Sequence, residues 1–220
     1  MRKKLRVGII TFPGSNCDHD IEYVLSEFFN VQTTMLWHAS VIRESFNLLV
    51  VPGGFSYGDY LRAGAIARFA PAMSSLKEHA RLGRPVLGIC NGFQILCESG
   101  LLPGALIRNV NLKHICRTVE IKTFSNNPIT KHFKKDTYKI PVSHSDGNYR
   151  ISDDGLKELQ DNNQIVFRYT DNPNGSVFDI AGISSKKHKI LGMMPHPERV
   201  IDPLNGSTEG FDILNSVLSL

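Results

Sequence analysis

The chain lacks the runs that mark membrane, secreted and nucleic-acid-binding proteins. No apolar run approaches the roughly 18 residues that a membrane-crossing helix needs, so we expect no membrane partner. Residues 1–10 lack the apolar stretch and cleavage site of a secretory signal, which predicts a cytoplasmic protein. The formal charge is only +4, and basic residues form short clusters without interleaved aromatics. We therefore expect no nucleic-acid partner.

Cysteine is scarce, and two nucleotide-binding motifs are missing. The four cysteines are Cys17, Cys90, Cys97 and Cys116. No pair has C-x-x-C spacing and no histidine stands at zinc-finger spacing, so we predict neither a structural metal nor a disulfide scaffold. The chain has no Walker motif and no G-x-G-x-x-G, which predicts that it carries no nucleotide cofactor of its own.

What is present is an ordinary globular composition, with 41% hydrophobic and 21% charged residues over 220 positions. In the first half, strands are predicted at residues 5–10, over part of 31–37, and at the apolar runs 48–51 and 86–89. Helical patterns alternate with them: one capped by Asp18, one over 65–82 in which Pro71 starts a second helix, and one over 91–98. This alternation is typical of a doubly wound, mostly parallel α/β sheet with flanking helices, as in flavodoxin-like folds.

The second half of the chain has a different pattern. Shorter alternating runs predict strands at 119–124, 138–142, 165–169 and 177–183, in a mixed or antiparallel extension of the sheet. An apolar strand at 190–194 and a closing helix at 209–218 follow. There is no internal repeat, low-complexity tract or linker, so we predict a single domain over residues 1–220.

The most informative motif is Gly88-Ile89-Cys90-Asn91-Gly92. It places Cys90 on the sharp turn between a buried strand and a helix, which is the Gly-x-nucleophile-x-Gly elbow with sulfur in place of oxygen. Amide groups at the start of that helix favour a thiolate. We predict that Cys90 is a nucleophile.

A cysteine nucleophile needs a base and a group that orients the base. His196-Pro197-Glu198 supplies an imidazole and a carboxylate two positions apart, directly after an apolar strand. We predict His196 as the base and Glu198 as its orienting carboxylate, because a triad assembles in space whatever its separation along the chain.

Paired glycines follow the third strand, at Gly53-Gly54. Without side chains, their amide groups can face a cavity, as an oxyanion hole requires. We predict that the N–H groups of Gly54 and Asn91 hold the oxyanion formed when Cys90 attacks a carbonyl.

Together these residues resemble the class I, triad-type glutamine amidotransferases, and the resemblance runs essentially end to end. Within that family, two stretches resemble the glutaminase subunits of phosphoribosylformylglycinamidine synthases, enzymes of purine biosynthesis. These stretches are Gly53-Gly54-Phe55-Ser56-Tyr57-Gly58-Asp59-Tyr60 and Asp171-Asn172-Pro173-Asn174-Gly175-Ser176.

The resemblance implies that the chain hydrolyses glutamine to glutamate and ammonia through Cys90, His196 and Glu198. It further implies that ammonia passes to a large ATP-binding synthetase subunit, with a small accessory subunit in the same complex. ATP and magnesium would then belong to that partner, where formylglycinamide ribonucleotide becomes formylglycinamidine ribonucleotide.

The resemblance also implies the contacts to bound glutamine, which fall on Gly53, Gln94 and the loop His144-Ser145-Asp146-Gly147-Asn148-Tyr149. In that loop we expect Ser145, Gly147 and Asn148 to contact the substrate. The family pattern there is His-Gly-Glu-Gly-Asn-Tyr, from which this chain departs at Ser145 and Asp146.

Three other functions stay open from the sequence alone. The chain could be the glutaminase subunit of a different amidotransferase, a cysteine peptidase, or a non-catalytic redox-sensing relative with an elbow cysteine. The last of these need not keep a histidine–carboxylate pair or a glutamine pocket, so His196, Glu198 and Gln94 weigh against it.

Overall fold

The structure is a computed structural model that describes residues 4–124 and 127–220. Its strands within these ranges are β1 (Arg6–Thr11), β2 (Gln32–Trp37), β3 (Leu48–Val51), β4 (Val86–Ile89), β5 (Ala105–Ile107), β6 (Ile115–Thr123), β7 (Thr137–His144), β8 (Asn148–Arg150), β9 (Ile165–Tyr169), β10 (Ile180–Ser184) and β11 (Ile190–Met193). Its α-helices are α1 (Asp18–Phe29), α2 (Pro71–Arg81), α3 (Asn91–Glu98), α4 (Asp153–Asp161) and α5 (Phe211–Leu218).

Nine of these strands form one mixed sheet in the order β2-β1-β3-β4-β11-β10-β9-β6-β7. The pairings from β2 to β11 are parallel, and those from β11 to β7 are antiparallel. The predicted α/β class, with a parallel sheet and an antiparallel extension, is confirmed. A separate antiparallel pair, β5 with β8, was not predicted from the sequence.

The strand directions decide which loops meet. Since β10 and β6 run opposite to β11, the strands β9 and β7 run the same way as β11 and the parallel set. The carboxyl ends of β1, β3, β4, β11, β9 and β7 therefore point toward one side of the sheet. In α/β folds this is the side where ligands bind.

Burial explains why the central strands read as continuous apolar runs. Every residue of β3, β4, β10 and β11 is buried, whereas the edge strand β2 is only partly covered. Strands covered on both faces gain from an apolar side chain at every position, while an edge strand need not. No helix among the described residues has the length and apolar character to cross a membrane.

Several predicted elements need correction. Cys17, not Asp18, is the N-cap of α1, and no side chain caps that helix. The stretch before Pro71 forms only a short 3-10 helix at Ala67–Phe69, although α2 does begin at Pro71. The strand expected at 177–183 begins with a 3-10 turn at Val177–Asp179, because Phe178 has a positive φ of 52°.

Candidate active site

Cys90 lies on the turn between β4 and α3, with φ 49° and ψ −104°. The turn is tight enough that a Cβ on Gly92 would overlap the carbonyl oxygen of Val51. A Cβ on Gly88 would lie 2.9 Å from the Gly92 carbonyl. The two glycines are therefore required by close backbone approach, and the elbow geometry predicted from the spacing is present.

The Cys90 side chain is almost completely buried, at 5% exposure. Its Sγ lies 3.5 Å from the carbonyl oxygen of Ser143, near the end of β7. The carboxyl end of strand β7 therefore lies next to the elbow. A second contact confirms this placement, since the His196 N–H donates to the Pro141 carbonyl at 2.9 Å.

His196 and Glu198 form a buried ion pair just past β11, with His196 Nδ1 2.6 Å from Glu198 Oε1. Both side chains are nearly inaccessible to water. Burial lowers the pKa of His196, but the negative charges of Glu198 and Cys90, with hydrogen bonding to Cys17 and Cys90, raise it overall well above its usual value. The pair is therefore arranged as a base held by a carboxylate.

The other nitrogen of the ring, His196 Nε2, makes no well-formed hydrogen bond to any described residue. Both thiols are nevertheless close enough to influence the pKa of the ring. The short distance between the thiols and the His196 ring is compatible with proton transfer. Hydrogen bonds between catalytic groups are often long before substrate binds and shorten when it does.

Cys17 is the residue of this site whose role the sequence left undecided. It follows the turn after β1, and its Sγ lies within 4.8 Å of ligand atoms of both His196 and Glu198. The Arg199 guanidinium donates to Cys17 Sγ at 3.3 Å. Only its position after a strand end could have marked it in the sequence, since Cys17 belongs to no elbow motif.

Cys17, His196 and Glu198 also have the donor types of a zinc ligand set. The Arg199 cation beside the Cys17 sulfur opposes a second positive charge there. His196 Nδ1 and Glu198 Oε1 are already bonded to each other. The arrangement therefore fits proton transfer better than a resident metal ion.

Gly53 and Gly54 lie against the same side chains. A Cβ on Gly53 would come within 2.7 Å of His196 Cε1 and 3.2 Å of Cys17 Sγ. Gly54 has a φ of +141° and packs against the backbone of residues 14–16. The Asn91 N–H belongs to the first turn of α3, where amide groups have no partner inside the helix. The predicted oxyanion donors therefore lie beside this site, Gly54 in the loop after β3 and Asn91 at the start of α3.

Gln94 is held by a short chain of side-chain amides. Asn91 Nδ2 donates to Gln94 Oε1 at 2.8 Å, and Gln94 Nε2 donates to the Asp146 carbonyl at 2.7 Å. Asn91 Nδ2 also lies 3.3 Å from Asp59 Oδ1. Burial, with the nearby Asp146 charge, raises the pKa of Asp59 to about 6. The sequence motif contains Asp59 but indicates no role for it.

The loop between β7 and β8 carries the other predicted glutamine contacts. The Ser145 hydroxyl bonds His114 Nδ1 at 3.1 Å, so it is occupied by a neighbour on the surface. The Gly147 N–H donates to Asn109 Oδ1 at 2.9 Å. Asn148 is buried, and its Oδ1 has no partner among the described residues. Of the three, Asn148 offers a free buried acceptor, and Ser145 and Gly147 hold the loop in place.

The stretch Asn172-Pro173-Asn174-Gly175-Ser176 supports this loop from behind. Asn174 Nδ2 and Ser176 Oγ both donate to the Gly147 carbonyl, at 2.8 and 3.1 Å. Ser176 Oγ in turn accepts the Tyr149 N–H at 3.0 Å. The sequence indicated this stretch only through the family resemblance. In the structure, its side chains stabilise the predicted substrate loop by hydrogen bonds.

This fold and site define an amidotransferase of the glutamine-dependent class, and comparison with known families agrees. Residues 4–212 match the model of the CobB/CobQ-like glutamine amidotransferase domain. The chain belongs to this family, which confirms the resemblance to class I glutamine amidotransferases. It is a glutamine amidotransferase component.

The chain is also similar to several solved structures. The chain is 37% identical to a chain of PurLQS from Thermotoga maritima, over 99% of each chain and with a TM-score of 0.89. A GMP synthase subunit from Thermoplasma acidophilum is 16% identical, covering 100% of this chain and 94% of that one, with a TM-score of 0.72. A glutamine amidotransferase from Thermotoga maritima is 20% identical, covering 90% and 77%, with a TM-score of 0.63. The last two likenesses show the fold alone.

Proposed function

We propose that this chain is the glutaminase subunit of a phosphoribosylformylglycinamidine synthase. The observation that carries the proposal is the end-to-end match, at 37% identity, to a chain of PurLQS. The site geometry supports it, because a buried cysteine, a histidine and a carboxylate meet beside the Gly53-Gly54 turn and the first turn of α3. The four free thiols agree with the cytoplasmic location expected from the sequence.

In the proposed reaction, the Cys90 thiol gives its proton to His196, and its sulfur attacks the side-chain carbonyl carbon of glutamine. The developing oxyanion accepts hydrogen bonds from the N–H groups of Gly54 and Asn91. His196, held by Glu198, protonates the nitrogen as the C–N bond breaks, and ammonia leaves. Water then attacks the γ-glutamyl thioester, with His196 as base, to release glutamate and restore Cys90.

Ammonia would pass to an ATP-dependent synthetase subunit, with a small accessory subunit completing the complex. ATP and magnesium would bind to the synthetase. Gly54 lies on a loop with positive φ at Tyr57, Gly58, Asp59 and Leu61. Such strained loops are often switched by a partner, so we expect the isolated chain to be a poor glutaminase.

The test is glutamate release from glutamine by the chain alone and with the synthetase subunit. We expect at least a tenfold increase with the partner, loss of activity in Cys90→Ala, and retained activity in the matched variant Cys17→Ala. Equal rates with and without the partner would contradict the coupling. Activation only by a different synthetase would favour the alternative amidotransferase, and no turnover with any partner would favour a redox-sensing relative.

A further inference from the structure

His144 is a buried histidine beside this site that has no part in the reaction steps given above. It is the last residue of β7 and is 3% exposed. The preceding carbonyl, of Ser143, contacts Cys90 Sγ, and the Asp146 carbonyl two residues later holds Gln94. His144 therefore lies between the two segments of the loop that touch the elbow.

The protonation of the His144 ring follows from its neighbour Asn109. Asn109 Nδ2 donates to the carbonyl oxygens of Lys113 at 2.8 Å and His144 at 3.0 Å, which fixes the orientation of its amide. Asn109 Oδ1 is then the acceptor that faces His144 Nδ1 at 3.2 Å. His144 Nδ1 must carry the hydrogen, which leaves a lone pair on Nε2.

That lone pair has no donor among the described residues. A buried acceptor without a partner is costly, and such a group in a native fold calls for an explanation. The ring packs directly against the backbone of Gly147, where an added Cβ would overlap it. Burial, with the positive charges of His196 and His114, lowers the pKa of His144 to about 4. The ring is therefore a neutral acceptor at physiological pH.

We propose that His144 Nε2 accepts an N–H from the carboxamide nitrogen of bound glutamine and then from the ammonia released. This assignment rests on the proposed function. The oxyanion donors serve the oxygen of the carboxamide, whereas its two N–H groups need acceptors of their own. His144 Nε2 is a buried acceptor on the loop that touches both Cys90 and Gln94.

A neutral acceptor suits the chemistry of the leaving nitrogen. The S–C bond forms first and gives the tetrahedral oxyanion. When the C–N bond then breaks, the proton from His196 leaves with the nitrogen as NH₃. A carboxylate in the same place would favour ammonium, which cannot act as a nucleophile in a later step. A neutral imidazole accepts an N–H without adding a negative charge, so it stabilises ammonia in its reactive form.

Two variants distinguish the role of His144 Nε2 as an acceptor from the hydrogen bond between His144 Nδ1 and Asn109. In His144→Asn the shorter amide can still donate to Asn109 Oδ1 but has no acceptor where Nε2 lies. In His144→Gln the amide oxygen reaches the Nε2 position. We would measure kcat/KM for glutamine and for glutamate γ-methyl ester, which has no N–H on its leaving group, with the synthetase subunit present.

We expect His144→Asn to lower the glutamine-to-ester ratio of kcat/KM about tenfold, and His144→Gln to restore most of the ratio. An unchanged ratio in His144→Asn would overturn the assignment, including the case in which both substrates lose activity equally. Wild-type protein that turns over neither substrate would instead overturn the proposed function, and the assignment with it.

A second measurement needs no change at position 144. In full-length Cys90→Ser protein with the synthetase subunit, the ¹⁵N resonance of His144 Nε2 should move upfield when glutamine is added. The γ-methyl ester should leave it in place. No shift with saturating glutamine, or the same shift with both ligands, would overturn the assignment.

Discussion

The two nitrogens of the His196 ring have different surroundings, and this difference defines the role proposed for the residue. Nδ1 is bonded to Glu198, whereas Nε2 is buried and makes no well-formed bond to a described residue. Because the carboxylate accepts from Nδ1, the neutral ring keeps its lone pair on Nε2, where a base is needed.

Replacing Glu198 with glutamine tests this arrangement. In Glu198→Gln an amide NH₂ can face Nδ1 and favour the tautomer with the hydrogen on Nε2, which cannot act as a base. We expect glutamine turnover to fall by about 10²–10⁴-fold while the protein stays folded, as followed by circular dichroism. The exposed Glu78→Gln is the matched control and should keep wild-type turnover. A loss below threefold in Glu198→Gln would contradict the assignment.

Asp59 is the carboxyl group whose titration bears most directly on stability near neutral pH. Its pKa is raised from 3.8 to about 6, by burial and then by the Asp146 charge. A raised carboxyl pKa means that the folded state binds the proton more tightly than the unfolded state. The stabilisation is therefore present below about pH 4 and is lost as the pH rises through 6.

An asparagine at this position removes that titration and keeps an oxygen for Asn91. We expect Asp59→Asn to raise the melting temperature relative to wild type at pH 7.5 and to leave it unchanged near pH 3.5. Asp146→Asn should give a smaller effect in the same direction, since it removes only the second cause. A wild-type protein whose stability relative to Asp59→Asn does not vary between pH 4 and 7 would contradict the raised pKa.

The strand-turn-helix unit around Cys90 depends on close backbone contact as well as on side-chain packing. A Cβ at Gly92 has no room beside Val51, whereas one at Gly100, which ends the helical segment with a φ of +74°, meets no described atom within 4 Å. Substitution of Gly92 therefore tests the effect of steric overlap, and substitution of Gly100 tests the effect of backbone strain.

We expect Gly100→Ala to lower the free energy of unfolding by about 1–2 kcal/mol, the cost of a left-handed conformation for a residue with a Cβ. Gly92→Ala should cost about 3 kcal/mol and also abolish glutamine turnover, because relief of the overlap must move Cys90. Urea unfolding and glutamate release measure both effects. Equal losses of stability, with turnover retained in Gly92→Ala, would contradict this picture.

How much of the fold could be predicted depended on burial. Strands β3, β4 and β9 were predicted with their observed bounds, because β3 and β4 are buried throughout and contain no polar side chain, and β9 contains only one charged side chain, that of Arg168. The short strands β5 and β8 were missed, since three residues carry too little periodicity. Helix α4 was missed although Ser152 accepts a hydrogen bond from the Gly155 N–H and caps it. Its polar sequence obscured that capping signal.

Some residues of the candidate site could be predicted from the sequence and others could not. Cys90, His196 and Gly54 lie in motifs whose local geometry the sequence specifies. Cys17 and Asn109 do not, because their contacts depend on segments far along the chain, such as Arg199 for Cys17 and Gly147 for Asn109. Contacts of this kind follow from the sheet order, and a single sequence does not reveal that order.

At the scale of the whole molecule, the site forms because the strands that carry its residues all end on the same side of the sheet. The parallel strands bring Cys17, Gly53, Cys90 and His196 to one edge, and the antiparallel extension returns β7 and β9 to the same side. Two thiols, Cys17 and Cys90, therefore converge on one imidazole. In the reaction proposed, only Cys90 of these two thiols is the nucleophile.

The most direct test is alkylation by diazo-oxonorleucine, a glutamine analogue with an electrophilic carbon, in the presence of the synthetase subunit. Peptide mass spectrometry would locate the adduct in wild type, Cys17→Ser and Cys90→Ala. We predict an adduct on Cys90 alone, blocked by excess glutamine, kept in Cys17→Ser and absent from Cys90→Ala. An adduct on Cys17, or glutamine-protected labelling that survives in Cys90→Ala, would contradict the account.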